Sequence, residues 1–378
     1  MNKFKFLNLT LELHKKLKKL KIKNMFKINL IVLLFLSAFC VSQNKIEAEK
    51  LVEEGIPYHD KGDFEGAINK YDKALELDAF NIYALSEKAF SLNSFNKSED
   101  AITVCKLAIE KHPKDILLKS IYVSYGNALD EQKKTDKSLE IYDEGIKLFP
   151  DYFLLFYNKG ITLTSIKKND EGIKCLQQAV KLNPKHSSSY NAIARLEKNR
   201  NNRIASVLCY LRFLIIEPQT KRAKENLESL KELLNQGVKK TGENSITLNV
   251  DSNDLDGFTS KEKKENNFKS TNLTLSMSSA LDYDDKNKNE TEIENLIRKV
   301  QTICSSLSET KKANYGFYWE YLAPYFIEMN NKNVLTPFAY IVNASSEKDY
   351  IKDWIKNDKT ELDKFYNWSK EYKWNSIK

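Results

Sequence analysis

Residues 53–81, EEGIPYHDKGDFEGAINKYDKALELDAFN, and residues 158–186, NKGITLTSIKKNDEGIKCLQQAVKLNPKH, carry the same skeleton. A small residue recurs at Gly55, Ala89, Gly126, Gly160 and Ala194, with separations of 34, 37, 34 and 34. A second small column reads Ala67, Ala101, Ser138, Gly172 and Ser206. Tyr71, Cys105, Tyr142, Leu176 and Tyr210 follow four residues later, then Ala74, Ala108, Gly145, Ala179 and Phe213. The unit closes at Ala79, Pro113, Pro150, Pro184 and Pro218. The apolar period is helical, and the clusters KGD (61–63), NKS (96–98) and KND (168–170) break each unit in two. Asp63, Ser98 and Asn169 are the expected N-caps of the second helices.

A set of helix pairs at this period resembles the tetratricopeptide repeat family over residues 48–220. The resemblance implies an α-solenoid of five helix pairs. Small residues sit where paired helices cross closely, and proline ends the second helix because it cannot continue one. The three extra residues before the third repeat fall around KDILLK (114–119) and predict a longer connection or an extra turn. Phe213 replaces a small residue, which predicts wider packing in the fifth pair. Residues 220–236, with Leu227, Leu230, Leu233 and Leu234 on one face, read as a capping helix.

The same resemblance implies that the first helix of each pair faces a concave groove holding a peptide or helix of a partner protein. Helical spacing places Tyr83, Ser86, Phe90, Asn93, Asn127, Asp130, Tyr157, Asn158, Asn191 and Arg195 on that surface, with Ile161 and Lys198 beside them. Aromatics and amides suit apolar side chains and peptide backbone. The surface has no lysine cluster of the kind that clamps a C-terminal carboxylate in chaperone-binding members of the family.

Residues 1–42 read as a signal peptide, with Met25 as a candidate true start. Lys27 precedes a run of about a dozen mostly apolar residues, Ile28–Phe39, a signal-core length and short of the roughly 20 that a membrane span needs. Cleavage after Ser42 fits, whereas the bulky Phe39 disfavours acylation of Cys40. The expected location is therefore periplasmic or extracellular, with no stable membrane span once the signal is removed. Nine of the 60 basic residues and one of the 52 acidic residues lie in 1–42, which leaves 51 of each in the rest. The basic excess leaves with the signal, so nucleic acid is not an expected partner. Cys105, Cys175, Cys209 and Cys304 show no metal-ligand spacing, and the first three sit in apolar helical patterns as buried thiols. No cofactor and no metal are expected.

Residues 237–290 read as a polar linker in which SITLNVD (245–251) and STNLTLSMS (270–278) alternate like strands of a short β-hairpin. Asp251, Asn253 and Asp256 resemble part of a calcium loop, but Lys263 stands where its glutamate belongs. Residues 291–378 read as a mostly helical C-terminal domain holding all four tryptophans, Trp319, Trp354, Trp368 and Trp374. Such aromatics build a core, or, in the alternative reading, a glycan-binding envelope protein. His14, His59, His112 and His186 are scattered, and catalytic motifs are missing, so no enzyme is expected. Glu320, Glu328 and Asp353 would be the carboxylates of a hydrolase, the least favoured reading.

Overall fold

The computed structural model describes residues 43–242, 245–249, 264–311 and 314–375, with Glu12, Lys15, Lys16, Lys18 and Lys19. The expected signal core, the cleavage position and the calcium-like Asp251, Asn253 and Asp256 lie outside the described residues. The protein is mainly α-helical and divides into two compact units, Met1–Leu148 and Phe149–Lys378.

The first unit holds helices α1 (43–60), α2 (Phe64–Leu77), α3 (Ile82–Ser94), α4 (Ser98–Lys111), α5 (Leu118–Glu131) and α6 (Thr135–Leu148). The second continues with α7 (Phe153–Ser165), α8 (Asn169–Leu182), α9 (Ser187–Asn199), α10 (Arg203–Ile216) and α11 (Lys221–Asn235). α1 to α10 form five helix pairs, and α11 follows as the expected additional helix, burying Leu227, Leu230, Leu233 and Leu234. Six residues, 112–117, join α4 to α5, against four between α2 and α3, so the longer connection lies where the sequence spacing put it.

The repeat columns have a direct steric meaning. A Cβ on Gly126 would stand 2.2 Å from the Tyr142 ring, and one on Gly55 would stand 2.4 Å from Tyr71. Glycine on the first helix thus makes room for tyrosine on the second. In the second small column, Ser138 Oγ donates to the Gly126 carbonyl at 2.8 Å, and Ser206 Oγ donates to the Ala194 carbonyl at 2.7 Å. A small polar side chain here tightens the crossing and satisfies its own hydroxyl.

Each pair turns through a left-handed residue: Gly62, Asn96, Lys133, Lys167 and Asn201, with φ of 81°, 58°, 61°, 64° and 61°. The next amide bonds back across the turn each time, for example Lys97 N to Leu92 O at 2.8 Å and Lys134 N to Leu129 O at 2.9 Å. This closes the last carbonyls of the first helix in a Schellman arrangement. Asp63 caps α2 as expected, accepting from Gly66 N at 2.9 Å. Ser98 and Asn169 do not cap: they are the first helical residues, after Lys97 and Lys168.

The remainder of the second unit comprises β1 (Val238–Gly242), β2 (Ser245–Leu248), β3 (Lys264–Glu265), α12 (Lys269–Ala280), α13 (Glu292–Thr310), β4 (Asn314–Tyr315), a π-helical turn (Tyr318–Leu322), α14 (Ala323–Asn331), α15 (Leu335–Val342), α16 (Asp349–Asn357) and α17 (Lys359–Glu371). A hairpin exists, but SITL pairs antiparallel with the preceding Val238–Gly242. STNLTLSMS is not a strand; it lies in helix α12. Its Thr271, Leu275, Ser278 and Ser279 form one buried helical face. Ser276 and Ser279 return their hydroxyls to the carbonyls four residues back, which makes serine tolerable inside a helix. The tertiary partner thus decided between two periods that the short segment fits about equally well.

Helix α10 is buried from Arg203 to Ile215 without a break. One core runs from α10 and α11 into α13, the π-helical turn, α14 and α15, and includes Phe213, Ile303, Trp319, Tyr325 and Phe338. Phe213 therefore fills shared core, which explains why no small residue is needed there.

Two substitutions in the third pair are expected to act with opposite sign. Gly126→Ala pushes a methyl into Tyr142 and is expected to destabilise by about 1–3 kcal/mol. Lys133→Gly relieves a left-handed backbone and is expected to stabilise by up to about 1 kcal/mol. Thermal unfolding followed by circular dichroism reads both, and equal signs would contradict this account of the repeat.

Candidate functional site

In the first unit the expected groove residues divide into packed and open groups. Ser86 is buried and shares a hydrogen bond with Ser120 at 2.8 Å, linking the first helices of neighbouring pairs. Asn93 Nδ2 donates to the Ser124 carbonyl at 2.8 Å across the same helices, while its amide oxygen is buried without a donor. Asn127 accepts from the Tyr142 hydroxyl at 2.6 Å, and Asp130 accepts from Thr135 Oγ1 at 3.1 Å. These four side chains brace the helix stack.

The open group is aromatic, Tyr83 and Phe90, with acids beside it. Phe90 is 49% exposed and lies flat against the His59 ring, with centroids 4.4 Å apart. His59 Nδ1 is 2.7 Å from Ser91 Oγ, and its other flank meets Phe64 edge-on. Tyr83 is half-buried; burial, Glu87 and Glu53 raise its phenol. Tyr71 behind them is pushed up to about 12 by burial, with Glu87 and Asp60 adding to it. A cleft of about 710 Å³ opens beside Tyr83, lined also by Glu49, Glu53, Phe80 and Asp115.

In the second unit, Tyr157 is half-buried and meets the His186 ring edge-on at 4.7 Å, with Phe153 on His186 at 4.8 Å. Asn158 Nδ2 turns back to the Leu154 carbonyl of its own helix at 2.8 Å. Asn191 is half-buried, with its amide oxygen buried and lacking a donor, whereas Arg195 is exposed. Ile161 is 37% exposed, and Lys198 is paired with Glu232 at 2.6 Å.

Sequence reasoning missed a polar network in the second unit. Tyr318 donates to the buried Glu197 at 2.6 Å, and Tyr321 donates to the Val180 carbonyl at 3.1 Å. Both hydroxyls project from the π-helical turn onto the repeat helices. Arg203 donates to the Leu233 and Leu234 carbonyls at 2.7 and 3.1 Å, where the end of α11 favours a cation. Lys299 is fully buried and held by Asp282 at 2.6 Å and Asn235 at 2.5 Å. Only the density of aromatics near residue 320 hinted at this network, since the pairs are separated by as much as 141 residues.

The tryptophans are mostly engaged. Trp319 is 1% exposed and donates to the Asn267 carbonyl, while Trp354 stacks on Tyr340 at 3.9 Å. Trp374 stacks on Tyr325 at 5.0 Å, and the Arg212 guanidinium lies 4.9 and 4.6 Å from the two ring centroids. Glu328 accepts from the Trp368 indole at 2.9 Å, and Glu320 and Asp353 are exposed. Cys105, Cys209 and Cys304 are buried free thiols, each raised by burial, and Cys175 is half-buried.

Residues 120–152 and 155–186 match the family model described as tetratricopeptide repeat. Among curated proteins, the chain is 30% identical over 169 residues to the protein STIP1 homolog of Dictyostelium discoideum, covering 37% of this chain and 30% of that protein. It is 27% identical over 153 residues to mitochondrial import receptor subunit TOM70 of Rattus norvegicus, covering 40% and 24%. The chain thus spans less than a third of the length of these relatives. Among solved structures, MamA is 23% identical with a TM-score of 0.36, covering 45% of this chain and 96% of that one. PilF of Pseudomonas aeruginosa is 18% identical with a TM-score of 0.41, covering 51% and 91%.

His59 in the first unit and His186 in the second each give a pH signature. Burial lowers both, with Asp60 opposing at His59 and Arg222 assisting at His186. A histidine lowered in the folded state contributes stability above its unfolded value, about 6.5, and loses it as pH falls through the folded value. Thermal stability is therefore expected to fall below about pH 6.5. In a His59→Gln/His186→Gln variant the decline should flatten, and an unchanged pH profile would contradict the assignment.

Proposed function

We infer that this chain, a tetratricopeptide repeat protein by the match over residues 120–152 and 155–186, is an exported scaffold that binds a peptide or helix of an envelope partner. The groove-facing residues are Tyr83, Phe90, Tyr157, Asn158, Asn191 and Arg195, with Ser86, Asn93, Asn127 and Asp130 holding the helices that present them. The observation that carries the reading is Phe90, a large ring on a first helix that remains 49% exposed while stacked on His59. A rigid exposed aromatic presents apolar area at little entropic cost, which is what a partner anchor requires.

Resemblance to a protein named as an import receptor subunit supports binding rather than catalysis. Lys27 and the apolar Ile28–Phe39 before Ser42 support export, and no helix among the described residues is long and apolar enough to cross a membrane. On this reading, residues 43–236 form the binding array, 237–290 a connecting region and 291–378 a helical support for the last repeat. The glycan alternative relies on exposed tryptophans, and Trp319 and Trp354 are already committed to hydrogen bonding and stacking.

A Phe90→Ala/Tyr157→Ala/Asn191→Ala variant is expected to keep its helical circular dichroism and lose proteins that co-purify with the wild-type chain. An unchanged set of partners would overturn the groove assignment.

A further inference from the structure

The first-helix surface of the first unit carries negative charge that its own lysines leave uncompensated. Glu87 on α3 is half-buried and, among the described residues, has no hydrogen bond or ion pair. Burial, then Asp60, raises its carboxyl, and no cation acts on it. Glu53 on α1 lies near enough to Tyr83 for its charge, like that of Glu87, to raise the phenol after burial. The neighbouring lysines turn elsewhere: Lys88 pairs with Asp72 of α2 at 2.5 Å, and Lys70 pairs with Glu54 at 2.7 Å. In the adjoining cleft of about 710 Å³, Glu49, Glu53, Asp78 and Asp115 face one lysine, Lys45. A half-buried carboxylate gains more from a cation than an exposed one does, because less solvent screens the pair.

Two aromatic surfaces border these charges, the half-buried Tyr83 and the exposed face of Phe90. Lysine and arginine combine the two matching features, a cationic head and a long apolar stem that packs on rings. We propose that this surface receives a lysine- or arginine-bearing segment of the partner, with cationic heads at Glu53, Asp60 and Glu87 and stems on Tyr83 and Phe90. The proposal rests on the groove reading above and names the chemistry of its occupant. The same field repels an acidic segment, so selection works by sign of charge.

The test uses the purified chain and a fluorescein-labelled peptide of alternating lysine and leucine, with a glutamate–leucine peptide beside it, both read by anisotropy. The lysine peptide is expected to bind saturably and the glutamate peptide not at all. Glu53→Gln/Glu87→Gln should weaken the lysine peptide by about ten-fold or more, with circular dichroism unchanged. Asp72→Asn removes the same kind of charge from a carboxylate already paired with Lys88, and should leave affinity within about two-fold. Equal effects of Asp72→Asn and the glutamine variant would reduce the attraction to net charge and overturn the proposal. Equal binding of both peptides, or full binding by the glutamine variant, would also overturn it. If the Phe90/Tyr157/Asn191 variant loses its partners while the lysine peptide shows no preference, the groove reading stands and the cationic occupant is rejected.

Discussion

Helix α10 sets the terms for the second unit. In most repeat helices one face packs and the other meets water, as in α2 and α6, where three buried residues each mark a single stripe. In α10 the buried set runs from Arg203 through Ile215. A helix buried on every side needs partners on every side, more than α9 and α11 alone supply. The π-helical turn, α12 and α15 supply the remaining cover; Arg203 is held by the Leu233 and Leu234 carbonyls and Ser276, and Arg212 donates through Nη2 to the Pro184 carbonyl beside the Tyr325 ring. Burying α10 and seating Tyr318 on Glu197 and Tyr321 on Val180 are parts of the same requirement.

Within the pairs a different constraint operates, the fit of a small residue against a large one. Gly55 with Tyr71 and Gly126 with Tyr142 leave no room for a methyl group, so the columns persist as complementary pairs rather than as separate preferences. The left-handed turn is more permissive about side chains: Gly62, Asn96 and Asn201 suit it, whereas Lys133 and Lys167 adopt it at an energetic cost. The backbone bond across each turn repeats regardless of residue type.

The proposed groove surface has two kinds of residue. Polar side chains such as Ser86, Asn93 and Asn127 spend hydrogen bonds on neighbouring helices, and in the proposed function the aromatics and acids are what would meet a partner. Helical spacing finds the face but not this division, because it depends on which side chain lies opposite, such as Ser120 opposite Ser86. Glu53, Asp60 and Glu87 were missed for the same reason. Solvated acids on a helix look alike in sequence, and only the commitment of Lys70 and Lys88 to other partners leaves these three unbalanced.

The sequence by itself determined the repeat: five aligned columns, the longer connection before the third pair and the leucine face of α11 all follow from local periodicity and sterics. Those signals are local because each pair is built from residues fewer than 40 positions apart. Tertiary structure alone decided the helical state of STNLTLSMS, the strand partner of SITL and the burial of Lys299 beside Asp282 and Asn235. In each case the segment's own pattern was compatible with two states. For STNLTLSMS and Lys299, packing against a distant element buried the chosen face and gave its polar groups partners, whereas SITL pairs with the strand just before it and keeps its side chains exposed.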